Sequence, residues 1–86
     1  MTTTAVHATH PKLVARLKRA EGHLHSVIEM IETGRPCVEI AQQLQAVEKA
    51  VTNAKRVLIH DHIDHCLDVE GSETDRAELK KIARYL

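Results

Sequence analysis

Between Pro36 and Gly71 the chain contains no proline and no glycine. This uninterrupted stretch limits the fold more than any other feature. Its apolar residues Ile40, Leu44, Val47, Val51, Ala54 and Leu58 recur at spacings of 4, 3, 4, 3 and 4, which is the period of one helix face. A single helix from about Pro36 to about Val69 would be roughly 50 Å long at 1.5 Å per residue. A second stripe, Leu13, Leu17, Ala20, Leu24, Val27 and Ile31, repeats the same spacings. It belongs to a helix that Pro11 can open and Gly34 can close. At about 23 residues that helix is too short to cover the longer one. The long helix therefore needs a further helix from another subunit.

Beyond Gly71, Ser72 followed by Asp75 has the form of a capping box. Leu79, Ile82, Ala83 and Leu86 then space out a short amphipathic third helix. No strand-like alternation interrupts the pattern, so the expected class is all-α: a three-helix protomer with one long central helix. Residues 1–10 read as a flexible arm carrying His7 and His10, and residues 11–86 as one helical domain. With no Phe, no Trp and a single Tyr, the core must be built from Leu, Ile, Val and Ala. Such a chain completes its core by oligomerising.

Formal charge sums to zero, but it is unevenly placed. Residues 11–20 carry Lys12, Arg16, Lys18 and Arg19 without an acid, and Lys55 and Arg56 follow on the second helix. Residues 57–79 carry Asp61, Asp64, Asp68, Glu70, Glu73, Asp75 and Glu78 against Arg76 alone. The first stretch is a candidate surface for an anionic partner. No apolar run approaches the length of a membrane span, and the opening MTTTAVHATH lacks the regions of a signal peptide. A cytosolic protein is expected, with its two cysteines as thiols or ligands.

The stretch HDHIDHC at 60–66 concentrates possible metal donors. His62 and Cys66, four apart, share a helix face and form half a site for Cu(I), Zn(II), Ni(II) or Co(II). Cys37 supplies another soft donor, but a continuous helix holds it about 43 Å from Cys66. Two copies of the long helix packed antiparallel about a two-fold axis near Val51 and Thr52 would bring 37 of one beside 66 of the other. The geometry thus predicts two intersubunit sites in a symmetric dimer, each with Cys37 from one chain and His62 and Cys66 from its partner. His65 is a possible extra donor, whereas His60, Asp61 and Asp64 read as solvated. A nucleophilic enzyme is disfavoured, since no orienting third group or oxyanion-hole element accompanies the Cys and His residues.

Three segments, RLKRAEGHL (16–24), IAQQLQAVEKAV (40–51) after Cys37, and RVLIHDHIDHC (56–66), resemble the CsoR/RcnR family of bacterial transcriptional repressors over nearly the whole chain. The resemblance implies an all-helical dimer that pairs into a tetramer and binds operator DNA in the metal-free state. It carries the metal-ligand role onto Cys37, His62 and Cys66, and phosphate contacts onto Lys12, Arg16, Lys18, Arg19, Lys55 and Arg56. Metal binding is expected to draw in the third helix through Glu73 or Glu78 and release the DNA. Two positions depart from the family: Pro36 stands where a tyrosine is usual, and Asn53 replaces an arginine.

The inducer reads as Ni(II)/Co(II), with Cu(I) close behind. Two thiolates and an imidazole suit Cu(I), while His7, His10 and His65 would add the nitrogen that nickel and cobalt prefer. The family's N-terminal histidine position falls at Ala5, two residues before His7. A formaldehyde or persulfide sensor of the same family is an alternative, as is a metal-buffering protein without DNA binding. A formaldehyde sensor would use an N-terminal proline amine that MTTT does not supply, a persulfide sensor would use two cysteines without needing His62, and a buffering protein would not need the acid-free basic stretch.

Overall fold

The computed structural model describes residues 10–68 and 73–86, with side chains described for 10–64 and 76–86. Three helices make up the described chain: α1 (His10–Glu32), α2 (Cys37–Asp68) and α3 (Glu73–Ala83). No strand occurs among the described residues. The protein is all-α; α1 and α2 end within a residue or two of the expected limits, whereas α3 stops at Ala83, three residues short of Leu86, where the chain passes into turns. The expected arm over residues 1–9, Gly71 and the cap at Ser72 lie outside the described residues.

The turn between α1 and α2 explains why the chain reverses there. Gly34 takes φ 74°, a left-handed conformation that costs glycine little. The amide of Arg35 donates to the Met30 carbonyl at 2.9 Å and that of Gly34 to Ile31 at 3.2 Å, the paired bonds of a Schellman helix end. Pro36 is the cap of α2, and its carbonyl accepts from the Ile40 amide at 3.1 Å. The two helices then run antiparallel, with His23 beside Gln43 and His10 beside Asp61. α2 continues past the start of α1, and α3 packs against that overhang, placing Glu78 near His62. The resulting body is a rod, 54 × 23 × 16 Å.

The core is thin. Among the described residues the buried apolar side chains are Leu13, Ala20 and Val27 on α1 with Val47, Ala54 and Ile59 on α2. Leu13, Ala20 and Val27 are a strict heptad column, as are Val47 and Ala54. Only one of the two columns in each predicted stripe is therefore buried. The other, Leu17, Leu24 and Ile31 on α1 and Leu44, Val51 and Leu58 on α2, stays 39–56% exposed. Ile59 lies outside the predicted stripe, and the reason is α3. It stands three residues before His62, on the face of α2 that the third helix covers.

The exposed columns face the same way. Five of the six follow a buried residue by four positions, 13 to 17, 20 to 24, 27 to 31, 47 to 51 and 54 to 58, and Leu44 follows the half-buried Ile40. Four residues turn a helix by a net of about 40°. In antiparallel helices that same offset rotates both columns toward one side of the hairpin. Val14 and Ile28, half exposed as well, sit on that side of α1. One broad face of the rod is thus an apolar strip built from both helices.

Ile59, 1% exposed, is the test of this core. Ile59→Ala is expected to lower unfolding free energy by about 2–4 kcal/mol. Val38→Ala, at a side chain 69% exposed, should change it by no more than about 0.5 kcal/mol. Urea denaturation followed by circular dichroism at matched protein concentration measures both.

Candidate metal centre and nucleic-acid interface

The soft donors occupy the two ends of α2. Cys37 is its first residue, exposed and with a free thiol. Arg35 and Glu39 close an ion pair across it, bracing the first turn. Cys37 stands seven residues before Leu44, so it heads the apolar column Leu44, Val51 and Leu58. His62 follows Leu58 by four and lies on the same side of the helix. Its side chain is 23% exposed, and its Nε2 stands 3.9 Å from Oε2 of Glu78. Position 66 comes one turn later. The side chains of His65, Cys66 and Glu73 lie outside the described residues, as does all of His7. Among the described residues of one protomer, no three His, Cys, Asp or Glu side chains converge on a point. Cys37 and His62 are about 37 Å apart along α2.

His10 goes elsewhere. Its Nε2 lies 3.9 Å from Oδ2 of Asp61, with side chains 30% and 18% exposed. Asp61 points into the α1–α2 seam, whereas His62 faces α3, because successive helix residues diverge by about 100°. The two candidate histidines are therefore on different sides of α2. Asp61, read from sequence as solvated, is instead largely covered by the packing of α1.

The basic residues separate into a groove and its surroundings. Arg16, Arg19, Ala20 and His23 on α1 line a shallow groove with Ala50 and Asn53 on α2. It continues toward the α3 end along Arg16, Asn53, Arg56, Val57, His60, Asp61 and Asp64. The ring N–H of His23 donates to Gln43 Oε1 at 2.6 Å, tying the helices together at the other end. The groove lies opposite the apolar strip. Arg16, His23, Gln43 and Ala50 each precede a buried residue by four positions, so the argument that turns Leu17 and Val51 to one side turns these to the other.

All six predicted basic residues are exposed, but only Arg16, Arg19 and Arg56 line the groove. Lys12, Lys18 and Lys55 do not. His23 and Asn53 as lining residues, and Asp61 and Asp64 at one end, were not evident from charge counting. Their signal was the register 16, 20, 23 against 50, 53, 57, 60, 64, which only antiparallel pairing makes meaningful.

Fold and side chains define a class: an all-α hairpin protein with a thiol and an imidazole, both candidate metal donors, on one side and an arginine groove on the other. The chain belongs to the metal-sensitive transcriptional repressor family, whose profile matches residues 9–86. Among similar proteins is the copper-sensing transcriptional repressor CsoR of Mycobacterium ulcerans, 43% identical over 51 residues, or 59% of this chain and 44% of that protein. CsoR of Bacillus subtilis is 39% identical over 56 residues, 65% of this chain and 55% of the relative. The copper-sensing repressor RicR of Mycobacterium tuberculosis is 33% identical over 52 residues, 60% of this chain and 54% of the relative. The chain thus matches about half the length of these curated relatives. Among the described residues, no helix is long and apolar enough to cross a membrane.

The exposed Cys37 makes a direct prediction. In a Cys66→Ser variant, where Cys37 is the sole thiol, one equivalent of a disulfide-exchange reagent should react in native buffer. A thiol that titrates only after denaturant is added would contradict its placement at the open end of α2.

Proposed function

We propose that this protein is a cytoplasmic, metal-responsive transcriptional repressor that holds operator DNA when metal-free and releases it on binding Cu(I). The observation that carries this reading is the placement of Cys37 and His62 at opposite ends of one 32-residue helix, both on its apolar side. A second copy laid antiparallel on the exposed strip would cover Leu17, Leu24, Val51 and Leu58. It would also bring Cys37 of one chain to His62 and Cys66 of the other, twice per dimer. Burying a half-exposed leucine or valine contributes on the order of 1 kcal/mol. Eight such residues per protomer are a sufficient drive for association. The family resemblance supports further pairing of dimers into a tetramer.

Two thiolates and one imidazole fit a soft, low-coordinate cation such as Cu(I), and the relatives named copper-sensing repressors support that choice. The sequence reading that put Ni(II) and Co(II) first relied on extra nitrogen donors. His10 stands 3.9 Å from Asp61, and His7, His10 and His65 stay the candidate nitrogen donors of that alternative.

Arg16, Arg19 and Arg56 are the phosphate contacts in this reading, with Lys12, Lys18 and Lys55 adding charge around them. Such contacts make affinity salt-dependent and leave sequence preference largely to DNA shape. A ligand shifts a conformational equilibrium only if it prefers one form. Closing the intersubunit site pins the overhang of α2, to which α3 is attached through Glu78 and His62, with Glu73 at the start of that helix. Movement of this end would alter the spacing of the arginine grooves across the assembly.

Three measurements test the reading. Val51→Asp, in the middle of the exposed strip, should shift sedimentation from an oligomer toward the monomer. Cys37→Ala and His62→Ala should each weaken anaerobic Cu(I) binding by at least tenfold. Arg16→Ala should weaken anisotropy-detected binding to the region upstream of the protein's own gene and lower the salt slope by about one. Unchanged metal affinity in Cys37→Ala would remove the intersubunit site. Failure of the metal-free protein to bind any such DNA at low salt would favour a metal-buffering protein instead.

A further inference from the structure

The arginine groove is not uniformly basic. Toward the α3 end, the same lining that contains Arg16 and Arg56 also contains Asp61 and Asp64. Asp61 is engaged with His10, but Asp64 is exposed. Among the described residues neither Arg16 nor Arg56 makes an ion pair, so both guanidinium groups are open to an outside anion. A phosphate held between them would sit within one Debye length of the Asp64 carboxylate, where like charges still repel.

The position of Asp64 on α2 adds a second observation. It continues the groove-side column Ala50 and Val57 at heptad spacing, while His62, two residues earlier, faces the opposite side toward α3. The last turns of α2 therefore carry a metal donor on one side and a carboxylate aimed along the DNA groove on the other. A rigid helix segment cannot move one without the other.

We infer that Asp64 is an electrostatic gate on the nucleic-acid groove. It keeps the metal-free affinity for a DNA backbone below what Arg16, Arg19 and Arg56 alone would give. Because it moves with α2, a displacement of that helix against α1 that carries Asp64 closer to a phosphate on Arg16 and Arg19 weakens phosphate binding. This rests on the groove being the DNA surface, and it adds a regulating residue that a purely basic patch would not contain. Asp64 acts on the ligand through space and forms no part of the metal site.

The experiment compares the full-length parent, Asp64→Asn and Arg16→Ala by fluorescence anisotropy. The probe is a labelled duplex from the region upstream of the protein's own gene, with and without anaerobic Cu(I). Asp64→Asn removes one exposed charge without changing side-chain size, and circular dichroism checks that the fold is kept. Metal-free Asp64→Asn is expected to bind about two- to fivefold tighter than the parent, the range of one exposed charge interaction. Its Cu(I)-induced loss of affinity should be smaller than the parent's by a similar factor. Equal or weaker binding by Asp64→Asn, or an unchanged Cu(I)-induced loss, overturns the gate. If instead Arg16→Ala binds as the parent does, the groove itself is misassigned, which is a separate failure.

Discussion

Everything in this protein depends on a mismatch of cover. α2 has 32 residues and α1 has 23, so the hairpin cannot enclose its own long helix. α3, with 11 residues, covers part of the overhang and buries Ile59. The rest of the apolar surface stays open as a strip along one side. Among the described residues six apolar side chains are buried, two of them alanines, which is a thin core for a stable fold. Association of a second copy on the strip, as proposed, would add to that stability.

The same mismatch separates the chemistry. With one heptad column per helix buried, residues four places later turn to the strip and residues four places earlier turn to the groove. Cys37, seven residues before Leu44, and His62, four after Leu58, lie on the strip side as well, and Arg16, His23 and Gln43 belong to the groove set. A metal-binding event and a DNA-binding event would thus take place on opposite sides of a rod about 23 Å across. In the proposed reading, communication between them would run through α2 rather than through a shared pocket. The overhang, where His62, Asp64 and α3 meet, is where both sides are represented on two helical turns.

Much of this was legible in the chain, and the misses have definite causes. Helix limits followed from Pro11, Gly34 and Pro36, because turn chemistry is local: Gly34 is left-handed and its neighbours make the two bonds of a Schellman end. The apolar stripes were located correctly, yet periodicity alone treats Leu13 and Leu17 alike. Only the angle at which α1 meets α2 decides that the first is buried and the second is left open. Ile59 was missed because its burial depends on α3, a contact that no periodicity within α2 encodes. Asp61 was read as solvated because a carboxylate usually is. Its cover is the start of α1, some 50 residues earlier in sequence.

The sequence by itself determined the helices, the length of the central one, and the separation of Cys37 from His62 and Cys66. These follow from hydrogen-bond geometry and rise per residue, which act within a few positions of the chain. It also determined membership in a family of metal-sensitive repressors, since each motif segment is a short run readable without the fold. Tertiary structure alone decided which apolar column faces inward, which arginines share a groove, that His10 pairs with Asp61, and that Asp64 closes one end of that groove. Those outcomes depend on the register and rotation of α1 against α2, set by how side chains from distant segments interlock, and no local pattern fixes that rotation.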